Sequence, residues 1–284
     1  DGNATGSTCN GPSRGDGRRR APQRSGGESA LALKVFLTGA SSGLGEALAK
    51  HYASRGATLG LVARRADELA RVKAAIAPAA VETFAADVRD ADAMVAAGRA
   101  FLDRHGVPDV VIANAGVSRG TMVEHEEDLA AFRAVLDTNV AGLFNTFHPF
   151  VAPMRAAGRG TLAGVASIAG FRGLPGSAAY SASKAAAIRV LESLRGELAP
   201  AGIAVVTICP GYVATPMTAR NPYRMPFLMD ADDAAASIAR AIARGKRFHV
   251  LPWPMAIVGR VLAALPRPIY ARAFARAPRK PRQP

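Results

Sequence analysis

The sequence predicts an α/β fold in which helices cover both faces of a doubly wound parallel sheet, and three observations favour it. From Leu31 onward, short apolar segments alternate with segments of helical periodicity, which is the pattern of repeated βαβ units. The first apolar segment runs directly into a glycine-rich turn that opens a helix, a Rossmann-type feature. No repeat or linker interrupts residues 31–250, so we expect one domain there.

The predicted elements follow one another without long gaps. The first helix, GLGEALAKHYASRG, places Leu44, Leu48 and Tyr52 on one face and ends at Gly56. Further helices are predicted in ADELARVKAAI, from Ala91, and around SAAYSASKAAA. The strands are short apolar runs, as buried parallel strands are. In chain order they are LALKVFLTGA, ATLGLVAR, VETFAADV, PDVVIANAG, TLAGVASIAG and IAVVTICPG.

The start of the chain differs from this central region. Residues 1–30 are rich in Gly, Ser and Arg without a hydrophobic period, and we expect them to be disordered. They contain no apolar run of the kind that a signal peptide needs. Cys9 and Cys209 are too few and too far apart to form a disulfide framework. We therefore expect a soluble, cytoplasmic protein.

The net charge of +14 is concentrated at the two ends. Residues 1–34 carry six basic and three acidic side chains, and residues 234–284 carry eleven basic side chains and no acidic one. The segment between them is neutral. A nucleic-acid enzyme would carry a basic stripe across its body, so we expect no nucleic-acid partner. Solvated basic termini are the plainer interpretation.

The turn TGASSGLG predicts a dinucleotide site. Glycines at this position let the backbone approach a pyrophosphate, whose charge the helix N-terminus would meet. The spacing differs from the common G-x-G-x-x-G pattern. The residues that we expect to contact the cofactor here are Gly39, Ser41, Ser42, Gly43, Leu44 and Gly45.

The end of the second strand predicts the choice of cofactor. Ala63 stands where a carboxylate would bind the 2′-hydroxyl of NAD, and Arg64 and Arg65 follow it. Two guanidinium groups suit a 2′-phosphate, so the pattern favours NADP(H) over NAD(H). The alternative is that both arginines are solvated at the start of a surface helix.

Several motifs occur in order along residues 33–250. They are TGASSGLG, Asp87-Val88, NAG at 114–116, Asn139 in LDTNVAG, Ser167 in GVASIAG, YSASK and PGYVATPM. Ser167 lies thirteen residues before Tyr180, and Tyr180 lies four before Lys184. With these motifs at this spacing, the chain resembles the short-chain dehydrogenases/reductases. Ala113 departs from the family, which often has asparagine there.

The resemblance implies a catalytic set of Asn139, Ser167, Tyr180 and Lys184. Because Tyr180 and Lys184 are four apart, they share a helix face, and the ammonium should lower the pKa of the phenol from about 10. In the family, the tyrosine is the general acid and base and the lysine also holds the nicotinamide ribose. Ser167 would bond the substrate oxygen, and Asn139 would hold a water that connects Lys184 to solvent.

The resemblance also places further residues around cofactor and substrate. For the cofactor these are Asp87, Val88, Asn114, Ala115, Gly116, Pro210, Gly211, Val213 and Thr215. For the substrate these are Ala169, Phe171, Leu174 and Tyr212, beside Ser167 and Tyr180. The segment MTARNPYRMPFLMD would form a methionine-rich lid that suits an apolar substrate, although core packing is an alternative use of its methionines. No His/Cys/Asp spacing suggests a metal, so we expect metal-free chemistry.

The sequence therefore favours an NADP(H)-dependent enzyme that interconverts a carbonyl and a secondary alcohol. A nucleotide-sensing or membrane-tethered binding protein on the same fold is the alternative. The stripe of Ala187, Val190, Leu191 and Leu194 predicts a homodimer or homotetramer, because one sheet face would leave it partly uncovered.

Residues 251–284 predict an extension of two short amphipathic helices, separated by Pro266 and Pro268, with a disordered basic end. We expect one helical face of Ile257, Val261, Leu262 and Leu265. This face could pack on the body or on a second subunit. Alternatively, it could attach the protein peripherally to an anionic membrane.

Overall fold

The computed structural model describes residues 1–2, 32–275, 279–280 and 282. Apart from residues 1–2, the predicted disorder of residues 1–30 lies outside these described residues. The central feature is a seven-stranded parallel sheet in the order β3-β2-β1-β4-β5-β6-β7. The strands are β1 Lys34–Thr38, β2 Thr58–Ala63, β3 Val81–Ala85, β4 Val110–Ala113, β5 Gly160–Val165, β6 Ile203–Pro210 and β7 Phe248–Leu251.

The predicted doubly wound sheet is confirmed. The strand order reverses between β1 and β4, and ligands bind at such a reversal, beyond the carboxyl ends of the strands. Sequence analysis missed β7, which has only four residues and an exposed Phe248, too little for a recognisable apolar run.

Helices cover both faces of the sheet. Helices α1, α2 and α7 bury their apolar side chains on one face, and α3, α5 and α6 bury theirs on the other. A short π-helical turn, Asp137–Ala141, joins α4 to α5. The helices are α1 Gly43–Ala53, α2 Ala66–Ala75, α3 Ala91–His105, α4 Asp128–Leu136, α5 Gly142–Ala157, α6 Ala178–Leu198, α7 Ala231–Ala243, α8 Trp253–Ala264 and α9 Arg267–Phe274.

An aromatic cluster joins the sheet to α3 and α5. The ring of Phe36 on β1 lies 5.5 Å from that of Phe101 and 4.6 Å from that of Phe150, centroid to centroid. All three side chains are fully buried. Tilted and edge-on aromatic pairs at this separation contribute about 0.5–1.5 kcal/mol each beyond the burial of their area. The cluster therefore fixes the two helices on the strand that leads into the glycine turn.

The apolar stripe predicted on α6 is covered only in part within the chain. Ala187 and Leu191 are fully buried, whereas Val190 and Leu194 are half-buried and pack against the same core. Leu191 fits over Gly164 of β5, where a Cβ would lie 2.6 Å from its side chain. Because Gly164 has no side chain, α6 packs closer to the sheet than its sequence suggests.

The extension forms the two predicted helices, α8 and α9, and part of its predicted apolar face is exposed instead of packing on the body. Ile257 and Val261 are 54% and 57% exposed, whereas Met255 and Gly259 are buried. A Cβ at Gly259 would lie 2.5 Å from the ring of Phe171, so this glycine lets the α8 backbone approach the body. In the described residues, no helix combines the length and apolar character needed to cross a membrane.

Two helical glycines give a matched test of the packing between α3 and α5. A Cβ at Gly98 would lie 2.6 Å from the ring of Pro149, whereas nothing lies within 4 Å of the equivalent position at Gly196. We expect Gly98→Ala to lower the free energy of unfolding by about 1–3 kcal/mol, because the proline ring is rigid. Gly196→Ala should instead raise it by about 0.5–1 kcal/mol. Thermal unfolding of both variants measures this, and equal shifts would contradict the packing.

Candidate active site

The carboxyl ends of the central strands surround one cleft. All of the residues predicted to bind the cofactor line it, and so do three of the four predicted catalytic residues. The cofactor group is Gly39, Ser41, Ser42, Gly43, Leu44, Gly45, Arg64, Arg65, Asp87, Val88, Asn114, Ala115, Gly116, Pro210, Gly211, Val213 and Thr215. The catalytic group is Ser167, Tyr180 and Lys184.

The glycines of the turn lie so close to neighbouring backbone that a side chain would clash with it. Gly39 has a φ of +69°, and a Cβ there would lie 2.7 Å from the Cα atom of Ala115. A Cβ at Gly45 would lie 2.0 Å from the carbonyl oxygen of Gly39. The N-cap Ser42 makes no side-chain hydrogen bond to the first turn of α1, so the backbone amides there remain available. This cradle fits the pyrophosphate of a dinucleotide.

The sequence analysis missed Thr38, which joins the glycine turn to the next loop. Its Oγ1 accepts hydrogen bonds from the backbone amides of Asn114 and Ala115, both at 3.3 Å. The side-chain amide of Asn114 donates in turn to the carbonyl oxygens of Thr38 and Gly39, at 3.1 and 3.2 Å. Thr38 directly precedes the glycines in the sequence. Its contact with the loop after β4 becomes visible only because β1 pairs with β4 in the sheet.

The adenosine end of the cleft is basic. Arg64 and Arg65 are exposed, and Arg65 approaches Glu68 only at 3.9 Å. Asp87 is already paired, since its Oδ2 lies 2.7 Å from Nη2 of Arg89. The hydrogen bond from Arg89 lowers the pKa of Asp87, against a smaller opposing effect of burial. The side chain of Arg64 therefore remains the more accessible of the charges at this end.

The lysine predicted to be catalytic is buried and hydrogen-bonded to the sheet. Lys184 is 4% exposed, and its Nζ donates to the carbonyl oxygen of Val165 at 2.8 Å. Its Nζ lies 5.8 Å from the ring centroid of Tyr180, so the two residues share a helix face as predicted. Burial lowers the pKa of Lys184 to about 8.

The predicted lowering of the phenol's pKa by Lys184 does not occur in this structure. Burial is the larger effect and raises the pKa of Tyr180, while the hydrogen bond with Ser167 opposes it. The physical reason is the direction of the ammonium, which faces the carbonyl of Val165. The phenol is therefore held in its protonated form.

Asn139 reaches the site from the π-helical turn. Its Oδ1 accepts from the amide of Val117 at 2.8 Å, and its Nδ2 donates to Oγ of Ser183 at 2.9 Å. Ser183 then donates to the carbonyl oxygen of Tyr180 at 2.8 Å. Asn139 thus ties the loop after β4 to the helix that carries the tyrosine, a connection through Ser183 that the sequence motifs did not indicate.

Ser167 and Ala169 lie in the short turn after β5. Ser167 ends the extended segment, and its Oγ accepts from the amide of Ala169 at 3.1 Å. Both residues are buried, and the serine hydroxyl donates to the carbonyl oxygen of Pro210 at 3.4 Å. Ser167 and Tyr180 line the same cleft, and Ser167 is close enough to influence the pKa of the phenol.

Of the predicted substrate residues, Ser167 and Tyr180 line this cleft, whereas Ala169, Phe171, Leu174 and Tyr212 do not. The ring of Phe171 packs under Gly259 of α8 and lies 5.9 Å from that of Phe248. Tyr212 pairs with Tyr223 of the predicted lid, at 6.4 Å between ring centroids. Leu174 is half-buried, and its backbone amide donates to Oγ of Ser181 at 3.2 Å.

A second lysine also approaches the tyrosine. Nζ of Lys280 lies 5.5 Å from the ring centroid of Tyr180 and donates to Oγ of Ser118 at 2.5 Å. The sequence analysis placed this residue in a disordered basic end, which is wrong for residues 279–280 and 282. Nothing in the local sequence indicated a contact across 162 positions.

In the described part of the chain, no group of three or more His, Cys, Asp or Glu side chains is arranged to hold a metal ion.

Comparisons with known proteins agree with this geometry. The sequence profile described as short chain dehydrogenase matches residues 34–224. An uncharacterized oxidoreductase of Myxococcus xanthus is 41% identical over 244 residues, covering 85% of this chain and 96% of that protein. Cis-4-hydroxycyclohexanecarboxylate dehydrogenase of Sinomonas cyclohexanicum is 33% identical over 241 residues, covering 84% of this chain and 96% of that protein.

A solved structure shares the fold along almost its whole length. A short chain dehydrogenase from Burkholderia cenocepacia J2315 in complex with NADP superposes with a TM-score of 0.74 at 28% identity, covering 85% of this chain and 97% of that one. The cleft, the spaced motifs and these similarities lead to one conclusion. The chain belongs to the short-chain dehydrogenase/reductase family of oxidoreductases.

Proposed function

We propose that this protein is an NADP(H)-dependent oxidoreductase that interconverts a carbonyl compound and its secondary alcohol. The observation that carries the proposal is the meeting of Tyr180, Ser167 and Lys184 in the cleft that begins at the glycine turn. A proton donor, a second hydroxyl and a nearby cation match the needs of a carbonyl oxygen that gains negative charge during reduction.

Each side chain has a distinct task in this proposal. A bound nicotinamide cofactor supplies the hydride for reduction and accepts it for oxidation. Tyr180 gives its phenolic proton to the carbonyl oxygen, and Ser167 donates a hydrogen bond to the same oxygen. Because burial raises the pKa of Tyr180, the phenol keeps its proton at neutral pH and is ready for reduction.

Lys184 and Asn139 would support this proton transfer without contacting the substrate. With a pKa of about 8, Lys184 is mostly protonated at neutral pH, and its ammonium would hold the ribose hydroxyls of the cofactor. Asn139 would hold a water beside Lys184 for reprotonation. The hydrogen bonds from Asn139 through Ser183 to the Tyr180 carbonyl keep the helix in place.

The basic adenosine end supports NADP(H). Ala63 is the last residue of β2 and offers no carboxylate to a 2′-hydroxyl, while Arg64 and Arg65 line the cleft beside it. A planar guanidinium binds phosphate through paired, charge-assisted hydrogen bonds. The structural neighbour that contains NADP is consistent with this preference.

For the substrate we propose a small ketone or secondary alcohol with an apolar carbon skeleton. Support comes from the relative whose name gives cis-4-hydroxycyclohexanecarboxylate as its substrate, a cyclic secondary alcohol. The residues after Thr215 also leave apolar side chains exposed near the cleft, with Met217 at 40% and Phe227 at 52%. The ketone 4-oxocyclohexanecarboxylate and its neutral carboxamide are therefore suitable first probes.

We also propose that the protein forms a homodimer or homotetramer, as enzymes of this family commonly do. Besides the half-buried Val190 and Leu194 on α6, the support is the apolar exposure on α4 and α5, where Leu129 and Phe144 are 57% and 53% exposed. A separate stripe on α8, of Trp253, Ile257 and Val261, is 54–73% exposed. We propose this stripe as the site of peripheral membrane contact, beside the basic Arg260.

Replacing the proton donor tests the catalytic assignment. Tyr180→Phe should lower turnover of carbonyl substrates with NADPH by at least about 100-fold, while the affinity for NADPH stays within a few-fold. Tyr52→Phe is the matched control, because its buried hydroxyl has no hydrogen-bond partner among the described residues. Steady-state kinetics and NADPH binding measure both effects. Near wild-type turnover in Tyr180→Phe would sink the proposal.

Removing one guanidinium tests the cofactor preference. Arg64→Ala should weaken NADPH binding by about tenfold, because a hydrogen bond to a charged group contributes about 1.5–3 kcal/mol and this site is exposed. NADH binding should change less than twofold. Arg99→Ala, an exposed arginine on α3, serves as the control. Fluorescence titration gives both dissociation constants, and equal losses for the two cofactors would contradict the preference.

The two exposed apolar patches can be tested against each other. Light scattering should show a homodimer or homotetramer that the double change Leu129→Gln/Phe144→Gln shifts towards monomer. Ile257→Gln/Val261→Gln should leave assembly unchanged but reduce co-sedimentation with anionic vesicles at low salt. A monomeric wild type at micromolar concentration would rule out assembly, and absence of vesicle binding would discard membrane contact.

A further inference from the structure

The chain beyond α9 returns to the mouth of the cleft and is anchored there by Arg282. Nε of Arg282 lies 2.9 Å from Oδ2 of Asp128, and its Nη2 lies 2.5 Å from Oε1 of Glu127. Asp128 is buried, and the same Oδ2 accepts from the amide of Met122 at 2.8 Å. Arg282 also forms a parallel β-bridge with Gly120. Two carboxylates and one backbone pairing therefore fix this end of the chain.

The preceding helices are anchored to the loop after β5. Arg172 donates to the carbonyl oxygens of Ala263 and Leu265, at 3.3 and 3.0 Å, and its guanidinium lies 4.6 Å from the ring centroid of Tyr270. Tyr270 donates in return to the carbonyl oxygen of Gly173. The extension is therefore held by two sets of contacts, those of Arg172 and those of Arg282. Lys280 lies two residues before Arg282.

Lys280 is a half-buried ammonium without an acidic partner in the described residues. Its hydrogen bond to Ser118 and its place over the Tyr180 ring put it where a substrate would enter. It lines a cavity of about 750 Å³ together with Arg119 and Arg220, and this cavity shares Ser42, Gly43 and Arg65 with the cofactor cleft. Burial lowers the pKa of Lys280, because an ammonium group removed from water is less stable in its charged form.

The acidic groups of this cavity are already neutralised. Glu46 lies 2.9 Å from Nζ of Lys50 and 2.8 Å from Nη2 of Arg71. Glu68 lies 2.8 Å from Nε of Arg71. The cavity therefore offers net positive charge on the side of Lys280, and an anion entering there would gain a partner without displacing one.

We propose that Lys280 binds a carboxylate carried by the substrate, so that the C-terminal segment of this chain selects keto acids and hydroxy acids. This inference rests on the proposed carbonyl–alcohol chemistry. The substrate, rather than the cofactor, is the source of the anion, because Lys280 lies over the phenol that must face the substrate oxygen. The cofactor phosphates have their own partners in the α1 amides and Arg64. Arg119 and Arg220 supply attraction around the same cavity.

The test compares keto acids with their neutral carboxamides in matched pairs. One pair is 4-oxocyclohexanecarboxylate and its carboxamide, and two further pairs are a short and a long linear keto acid with their amides. Both kcat/KM with NADPH and the Kd for each ligand in the presence of NADP⁺ are measured. The variants are Lys280→Met, Lys280→Arg and Arg282→Met, with Lys246→Met as an exposed lysine outside both cavities.

For at least one pair, the wild type should prefer the acid at least tenfold. Lys280→Met should abolish that preference, chiefly through KM and Kd, while leaving the amide unchanged within twofold. Lys280→Arg should keep most of the preference, Arg282→Met should lose much of it, and Lys246→Met should behave as wild type. These results together would support a carboxylate site that the anchored segment positions.

Other outcomes separate this inference from the proposed function. Reduction of the amides without preference for any acid, or equal losses for acid and amide in Lys280→Met, would overturn the carboxylate site and leave carbonyl reduction standing. Weaker NADPH binding in Lys280→Met would overturn it by assigning the cation to the cofactor. Binding of an acid that depends on Lys280, with no turnover of any carbonyl, would support the site and refute the proposed reaction.

Discussion

A single buried cation, the ammonium of Lys184, constrains most of the site. A charge with 4% exposure needs close polar partners, and the carbonyl of Val165 at the end of β5 supplies one at 2.8 Å. To bring it there, α6 must lie tightly against the sheet and its loops. A Cβ at Gly170 would lie 2.7 Å from the Lys184 backbone, and one at Gly116 would lie 3.4 Å from Nζ. The loops after β4 and β5 therefore need glycine at these two positions to make room for Lys184.

The same tight packing determines the protonation of the phenol. Burial disfavours the charged form of each group, so it raises the pKa of Tyr180 and lowers that of Lys184 to about 8. At neutral pH this combination leaves a protonated phenol beside a cation that is still mostly charged. A site of this kind is prepared to donate a proton to an oxygen that gains negative charge. The ammonium is turned towards the carbonyl of Val165, so Ser167, rather than Lys184, is the neighbour that opposes the effect of burial on the pKa of Tyr180.

The fold and most of the cofactor cleft could be predicted from the sequence because their signals are local. A strand that ends in a glycine turn, or a tyrosine four residues before a lysine, is visible within a few positions. What the sequence did not show depends on distant contacts. The exposure of Ile257 follows from the contact of Gly259 with Phe171, and the burial of Leu191 follows from its contact with Gly164. The contact between Lys280 and Ser118 joins residues 162 positions apart, and no hydrophobic periodicity in the sequence predicts it.

The uneven charge of the chain has a physical meaning once the C-terminal segment is placed. Solvated ends were the plainer interpretation of eleven basic side chains without an acidic one in residues 234–284. Arg282 instead forms ion pairs with Glu127 and Asp128. Lys280 is hydrogen-bonded to Ser118 at the cleft, and its positive charge is not paired with a carboxylate in the described residues. At about 0.1 M salt, charges act over roughly 10 Å, so exposed arginines elsewhere on the extension contribute little to a ligand in the cleft. The charge that matters for an anionic ligand is therefore the one that Arg282 fixes in place, and its effect depends on that anchor more than on the total of +14.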